Sequence, residues 1–115
     1  MMTRQLKFRA WDGFNKKMSF FTMNDLCIWE DSNPEKPSAL DEWTQYTGLH
    51  DKNGKEIYEG DIIGKWDKAL WEVGFNEGRF CFIYNDGRKA FSMSKSVLRN
   101  KEIIGNIYEN PDLLK

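Results

Sequence analysis

Short segments of alternating apolar and polar residues, separated by turn-forming residues, constrain the fold of this chain more than any other feature. In the clearest case, Trp71, Val73 and Phe75 occupy every second position, and a similar alternation follows over residues 80–84. Side chains with a period of two point to opposite faces of a β-strand, and glycine close to asparagine or aspartate favours turns between strands. The pattern predicts a three-stranded antiparallel meander over residues 70–93.

The first thirty residues carry the same kind of signal. Alternation over residues 5–11 and a second extended segment at residues 17–23 predict a β-hairpin around the turn at Asp12-Gly13. The short apolar run at residues 26–29 predicts a third strand.

Residues 31–42 are the linker-like segment of the chain. Pro34 and Pro37 disrupt regular structure there and polar residues dominate, which predicts a surface loop. Trp29 and Trp43 flank this loop. Because tryptophan is usually largely buried, we expect both to be packing anchors.

The central stretch, residues 45–64, combines turn signals with carboxylates. Asn53-Gly54 predicts a type I′ hairpin, since both central residues of that turn need positive φ. Glu59-Gly60-Asp61 predicts a bend into the next strand, with close backbone approach at Gly60.

The C-terminal segment predicts shorter elements. We expect a helical turn over residues 94–100 with Val97 and Leu98 facing inward, a last strand over residues 102–108, and a helical turn after Pro111. Roughly seven short strands in a chain of this length predict a single, mainly β domain over residues 1–115, either a small barrel or a curled antiparallel sheet.

Composition narrows the functional classes. The formal net charge is -1, so the whole molecule neither attracts nor repels nucleic acid strongly. No apolar run approaches the roughly 20 residues of a membrane span, and the first residues lack the apolar core of a signal peptide. We therefore expect a soluble, cytoplasmic protein with no membrane partner. Cys27 and Cys81 lack zinc-site spacing and are predicted to be buried thiols, with a disulfide between them as the alternative.

Carboxylates in the central stretch are the first candidates for chemistry. An EF-hand with Gly54 in its sixth position would need ligands at Leu49 and Gly60, so spacing excludes that site. A metal- or acid-dependent hydrolase is the third interpretation. No catalytic residue, metal ligand or cofactor is predicted, and His50 is expected at the surface. The candidate acidic cluster consists of Asp51, Glu56, Glu59 and Asp61.

Basic residues interleaved with aromatic ones support a second interpretation, a nucleic-acid-binding small β-barrel. Small barrels can stack bases on exposed aromatic side chains beside a basic groove. The candidate binding residues are Lys7, Arg9, Arg88 and Arg99.

The aromatic content supports the leading interpretation, which is neither an enzyme nor a nucleic-acid-binding barrel. Aromatic residues make up 15% of the chain, which is more than we expect one small core to bury. The sequence therefore predicts a non-enzymatic module that forms a homo-oligomer or binds a partner protein.

Three segments resemble the YopX family of phage and prophage proteins. They are KFRAWD at residues 7–12, QYTGLHDKNGKEIYEGDI at 45–62 and IGNIYENP at 104–111, in the family's order. The resemblance implies a phage or prophage origin, a mainly β fold with a small SH3-like barrel, and self-assembly. We further expect the residues before the central stretch to form an N-terminal β arm, and a host or phage protein to be a further partner. It implies no established activity and supplies no catalytic residues.

Overall fold

The computed structural model describes residues 6–30, 32–33, 36–64, 70–84, 87–90 and 94–114. Within them the chain is mainly β, with two antiparallel sheets, two short α-helices and a 3₁₀ helix at Pro111–Leu114. The remaining elements are β1 (Lys7–Asp12), β2 (Lys17–Thr22), α1 (Met23–Ile28), β3 (Glu42–His50), β4 (Glu56–Tyr58), β5 (Asp61–Gly64), β6 (Trp71–Asn76), β7 (Arg79–Tyr84), β8 (Lys89–Ala90), α2 (Lys95–Leu98) and β9 (Glu102–Asn106).

The chain divides into two compact units, Met1–Tyr46 and Thr47–Lys115, and β3 runs from the first into the second. None of the helices in the described part of the chain has the length and apolar content needed to cross a membrane.

The first unit is built on the predicted N-terminal hairpin. The strand β1 pairs antiparallel with β2, from Lys7 opposite Thr22 to Asp12 opposite Lys17, and pairs with β3 along its other edge. Phe21 is 3% exposed and lies at the centre of this unit. The rings of Trp29 and Trp43 lie 6.0 Å and 5.0 Å from the ring of Phe21, so both tryptophans pack against it.

The third strand predicted at residues 26–29 is wrong, because α1 occupies that segment. Thr22 caps the helix: its hydroxyl accepts from Asp25 N–H at 3.1 Å, and the Asp25 carboxylate accepts from Thr22 N–H at 2.8 Å. This reciprocal capping box satisfies backbone donors that a helix start otherwise leaves free. Asn24 and Asp25 lie in the first turn of the helix.

The second unit holds a five-stranded sheet in the order β8-β7-β6-β5-β9, while β4 pairs with β3. The predicted meander is confirmed for β6, β7 and β8, and residues 91–93 lie outside the described residues. Val73 lies opposite Phe82, and both belong to a core cluster. Its buried members are Ile57, Ile63, Val73, Phe82 and Leu98.

The sheets of the described residues are open and do not close into a barrel, so the SH3-like barrel is not formed and the antiparallel sheet is the correct alternative. The short loop between β3 and β4 forms hydrogen bonds with backbone groups near the start of β9. Ile103 N–H donates to the Asp51 carboxylate at 3.0 Å, and Lys52 N–H donates to Lys101 C=O at 2.9 Å. Groups bonded in this way are not available to a closing strand.

The hairpin between β3 and β4 is not the predicted type I′ turn. Of Asn53 and Gly54, Gly54 alone has a positive φ, at 81°. Its N–H donates to Asp51 C=O at 3.0 Å, and Asp51 N–H donates to Lys55 C=O at 2.9 Å, which makes a three-residue loop with glycine last. That geometry combines a type I turn with a glycine bulge. Two positive φ values occur instead at Glu77 and Gly78, between β6 and β7.

The bend between β4 and β5 forms where it was predicted. Gly60 has a φ of 93°, and its N–H donates to Val73 C=O at 2.7 Å while its C=O accepts from Ile107 N–H at 2.9 Å. The Asp61 carboxylate accepts from Tyr58 N–H at 2.8 Å and fixes the bend from inside. Close backbone approach at Gly60 is therefore confirmed.

The C-terminal strand and helical turns form where they were predicted. The strand β9 ends at Asn106, and the short α2 buries Leu98 and packs Val97 against the core. Glycine at position 105 serves close packing, because a Cβ there would meet the side chains of Asn110 and Leu113.

The two cysteines differ in environment. Both are free thiols; Cys81 is buried as predicted, but Cys27 is exposed because it lies on the outer face of α1. Burial raises the pKa of the Cys81 thiol, chiefly by removing the thiolate from water.

Candidate functional site

The first unit carries most of the apolar surface that the described residues leave open. Of the nine large hydrophobic side chains that are exposed, seven lie in this unit and two in the second. The seven are Leu6, Phe14, Phe20, Met23, Ile28, Leu40 and Trp43. Exposed apolar surface concentrated in this way marks sites of interaction with other molecules.

Phe14 is presented at the tip of the β1–β2 hairpin and is 93% exposed. The Asp12 carboxylate holds the turn by accepting from the N–H of Phe14 at 3.0 Å and of Asn15 at 3.1 Å, and from the Asn15 amide at 2.7 Å. The Asn15 side-chain hydrogen bond is the largest cause that lowers the pKa of Asp12. The carboxylate therefore remains charged at neutral pH and orders the backbone of the turn that carries Phe14.

Leu40 is presented in the same way on a second turn and is 94% exposed. Ser38 N–H donates to the Asp41 carboxylate at 3.1 Å, and the Ser38 hydroxyl accepts from Leu40 N–H at 3.1 Å. The Trp43 indole N–H donates to Ser38 C=O at 2.8 Å, which ties the turn to β3. Side-chain hydrogen bonds thus order a turn whose apolar tip points into solvent.

The two turns line one cleft of about 650 Å³, which lies entirely within the first unit. Its apolar members are Trp11, Phe14 and Leu40, and its charged members Asp12, Asp41 and Glu42 are all acidic. We call this surface the turn cleft. Its chemistry suits a binding segment that combines an apolar side chain with positive charge.

The predicted basic residues fall in both units and differ in burial. In the first unit, Lys7 lies 5.5 Å from the Tyr46 ring centroid, while Arg9 is 4% exposed and donates from Nε to the Thr44 hydroxyl at 3.2 Å. In the second unit, Arg88 and Arg99 are exposed, and Arg88 lies 5.1 Å from the ring centroid of Tyr84. The guanidinium of Arg9 is thus buried in packing, whereas that of Arg99 is open to solvent.

The acidic residues of the central stretch act mainly on their own backbone. Asp51 is 7% exposed, and its carboxylate accepts from the N–H groups of Asn53, Lys55 and Ile103 at 2.9, 2.9 and 3.0 Å. Burial by itself raises the pKa of Asp51, but these three donors and the charge of Lys55 outweigh it and lower that pKa. Asp51 is therefore a charged structural group that holds the hairpin loop on β9.

The other three acids have separate environments. Asp61 is 2% exposed within its bend, while Glu56 and Glu59 are half-buried. Burial, and then the charge of Glu59, raise the pKa of Glu72 on the neighbouring strand. No group of three or more His, Cys, Asp or Glu side chains that could hold a metal ion occurs in the described part of the chain.

Phe14 and Leu40 were missed by reasoning from the sequence. Each is a large apolar residue inside a turn signal: Phe14 directly follows Asp12-Gly13, and Leu40 lies in the polar loop. An apolar residue in a tight turn has few neighbours to cover it, and this signal would have singled out both.

The chain is similar to one known protein family and to one solved structure. The family model described as "YopX protein" matches residues 7–115. The crystal structure of protein EF1440 from Enterococcus faecalis is similar, with a TM-score of 0.66 and 28% sequence identity over 96% of this chain and 98% of that one. No curated protein matches the sequence.

Proposed function

The chain belongs to the YopX family, and from that premise we propose that it is a non-enzymatic, self-associating accessory protein of a phage or prophage. It acts in the bacterial cytoplasm by binding a host or phage macromolecule. The observation that carries the proposal is the turn cleft, where Phe14 and Leu40 are 93% and 94% exposed on turns that side-chain hydrogen bonds keep ordered.

The hairpin tip beside the turn cleft carries the positive charge that complements the acidic side chains lining the cleft. The hairpin tip that bears Phe14 continues into Lys16 and Lys17, both exposed, while the opposite turn bears Leu40 and leads into Glu42. In a dimer with two-fold symmetry, the tip of each copy meets the opposite turn of the other. Phe14 then packs on Leu40 and the lysines face acidic side chains, so one pairing satisfies both the apolar and the charged groups.

A non-enzymatic role is supported by what the acidic residues do. Asp51 and Asp61 are the two buried carboxylates of the central stretch, and both accept backbone N–H groups of their own loops. A carboxylate engaged by three donors is a poor proton acceptor at neutral pH, because these donors lower the pKa of Asp51 below its ordinary acidic value. The structural roles of Asp51 and Asp61 therefore support a non-enzymatic protein.

Sedimentation velocity over a wide range of protein concentrations tests self-association. We expect the wild-type protein to shift towards a dimer as its concentration rises, and the Phe14→Ser and Leu40→Ser variants to remain monomeric. Truncating one anchor side chain in an interface costs about 2 kcal/mol. Because each substitution occurs twice in a dimer, the dissociation constant should rise by roughly 700-fold.

Three further single variants and one double variant make this test specific to the turn cleft. Ile28→Ser is the matched control, since Ile28 is 67% exposed in the same unit but does not line the cleft. Lys17→Glu and Glu42→Lys should each weaken the dimer, and the double variant should restore it. A wild-type protein that stays monomeric at every concentration, or a dimer unaffected by Phe14→Ser, would refute the proposal.

A further inference from the structure

A second cleft, of about 490 Å³, lies in the second unit and differs in charge from the first. Its floor is apolar, with Leu98 buried and Leu49 half-buried. Its exposed rim carries Lys52, Lys95 and Arg99, and His50 also lines it. We call this surface the basic cleft.

Backbone hydrogen bonds fix the two walls of the basic cleft. The hairpin loop is held by the bond from Lys52 N–H to Lys101 C=O at 2.9 Å. The opposite wall is α2, whose Leu98 N–H donates to Ser94 C=O at 3.1 Å and whose end is joined to β9 by the bond from Lys101 N–H to Leu98 C=O, also 3.1 Å. The three cations are therefore carried on a defined backbone, although their side chains extend into solvent.

The cleft is positive although the protein is not. Asp51 is its one acidic lining residue, and that carboxylate is 7% exposed and already engaged by three backbone N–H groups. The cleft also has three exposed cations, so its net charge is about +2 with His50 taken as neutral. The local field is then opposite in sign to the formal charge of -1 on the whole chain.

The exposure of the cations indicates the kind of anion that they suit. A solvent-exposed ion pair contributes little, so separate cations on a rim do not enclose a single small anion tightly. A polymer of phosphates gains affinity differently, because each contact releases a counterion condensed on the polymer. The lining includes no exposed large hydrophobic side chain, which disfavours insertion into a lipid surface.

We infer that the basic cleft binds the phosphodiester backbone of nucleic acid, without reading the base sequence, through Lys52, Lys95 and Arg99. Among the described residues, no Phe, Tyr or Trp side chain lines the cleft and His50 is its one aromatic ring, so contacts to phosphate carry the interaction. The inference is independent of self-association, since the turn cleft belongs to the first unit and the basic cleft to the second.

Fluorescence anisotropy with a labelled oligonucleotide, measured over a series of salt concentrations, tests the inference. Three phosphate contacts predict a slope of log K against log salt of about −2 for single-stranded DNA and about −2.7 for duplex. We expect a dissociation constant of about 10⁻⁵ M. Each of Lys52→Gln, Lys95→Gln and Arg99→Gln should make the slope shallower by about 0.7 to 0.9.

Control variants distinguish binding by the cleft residues from an effect of surface charge in general. Arg99→Lys keeps the charge and should keep the slope. Lys89→Gln removes an exposed cation of the same unit outside the cleft, and should change nothing. Three results would overturn the inference. They are equal competition by poly-L-glutamate at matched charge, binding only to anionic vesicles, and a triple glutamine variant with the same slope as the wild type.

Discussion

Replacing Asp51 by alanine should destabilise the second unit strongly, because the Asp51 carboxylate holds the hairpin loop between β3 and β4. The substitution removes the acceptor of three backbone N–H groups, at Asn53, Lys55 and Ile103. A hydrogen bond to a charged group contributes roughly 1.5 to 3 kcal/mol when its donor cannot rehydrate. That range applies to Ile103 in β9. The donors of Asn53 and Lys55 lie in an exposed loop and should cost about 0.5 kcal/mol each.

The total expected loss is therefore about 3 kcal/mol for Asp51→Ala in unfolding by urea at neutral pH, followed by tryptophan fluorescence and circular dichroism. Asp41→Ala is the control, because Asp41 accepts one N–H group, from Ser38, and should cost about 0.5 kcal/mol. Equal losses for the two variants would refute the assigned role of Asp51.

The same interaction predicts a dependence on pH. The folded state lowers the pKa of Asp51, so its contribution to stability is complete above the pKa of the unfolded chain, roughly 3.9, and disappears as pH falls through the lower folded value. Asp51→Asn cannot ionise, and its amide would place donors against Ile103 N–H. The difference in unfolding free energy between wild type and Asp51→Asn should thus shrink below about pH 4. A difference that stays constant down to strongly acidic pH would contradict the sign of this linkage.

Two further predictions concern backbone geometry. Glu77 has a φ of 53° before Gly78 in the β6–β7 turn, so Glu77→Gly should raise the unfolding free energy by about 1 kcal/mol, and an unchanged melting temperature would argue against strain there. Gly105→Ala should destabilise by about 2 kcal/mol in urea unfolding, since the new Cβ would meet the Asn110 side chain. Gly13→Ala is its control, because that Cβ would find ordinary contacts and should change stability little; equal effects at the two sites would contradict the packing argument.

Elements with a strong local signal were predictable. The hairpin of β1 and β2 and the meander of β6 to β8 follow from period two, because one residue in two must face the core whatever else the chain does. The bend at Gly60 was predictable for a similar reason, since positive φ there needs glycine. The helix α1 was not predicted, because an apolar run of four residues fits either a strand or a helix, and the capping box of Thr22 and Asp25 decided between them.

The sequence by itself determined the class of fold and the family, because alternation and turn chemistry act over a few neighbouring residues and the matching segments extend along nearly the whole chain. Tertiary structure alone decided which side chains are available. Arg9 is buried beside Thr44, Asp51 is committed to Ile103 more than fifty positions away, and Phe14 is left in solvent. Exposure depends on which distant segments cover a residue, and a local pattern contains no information about them.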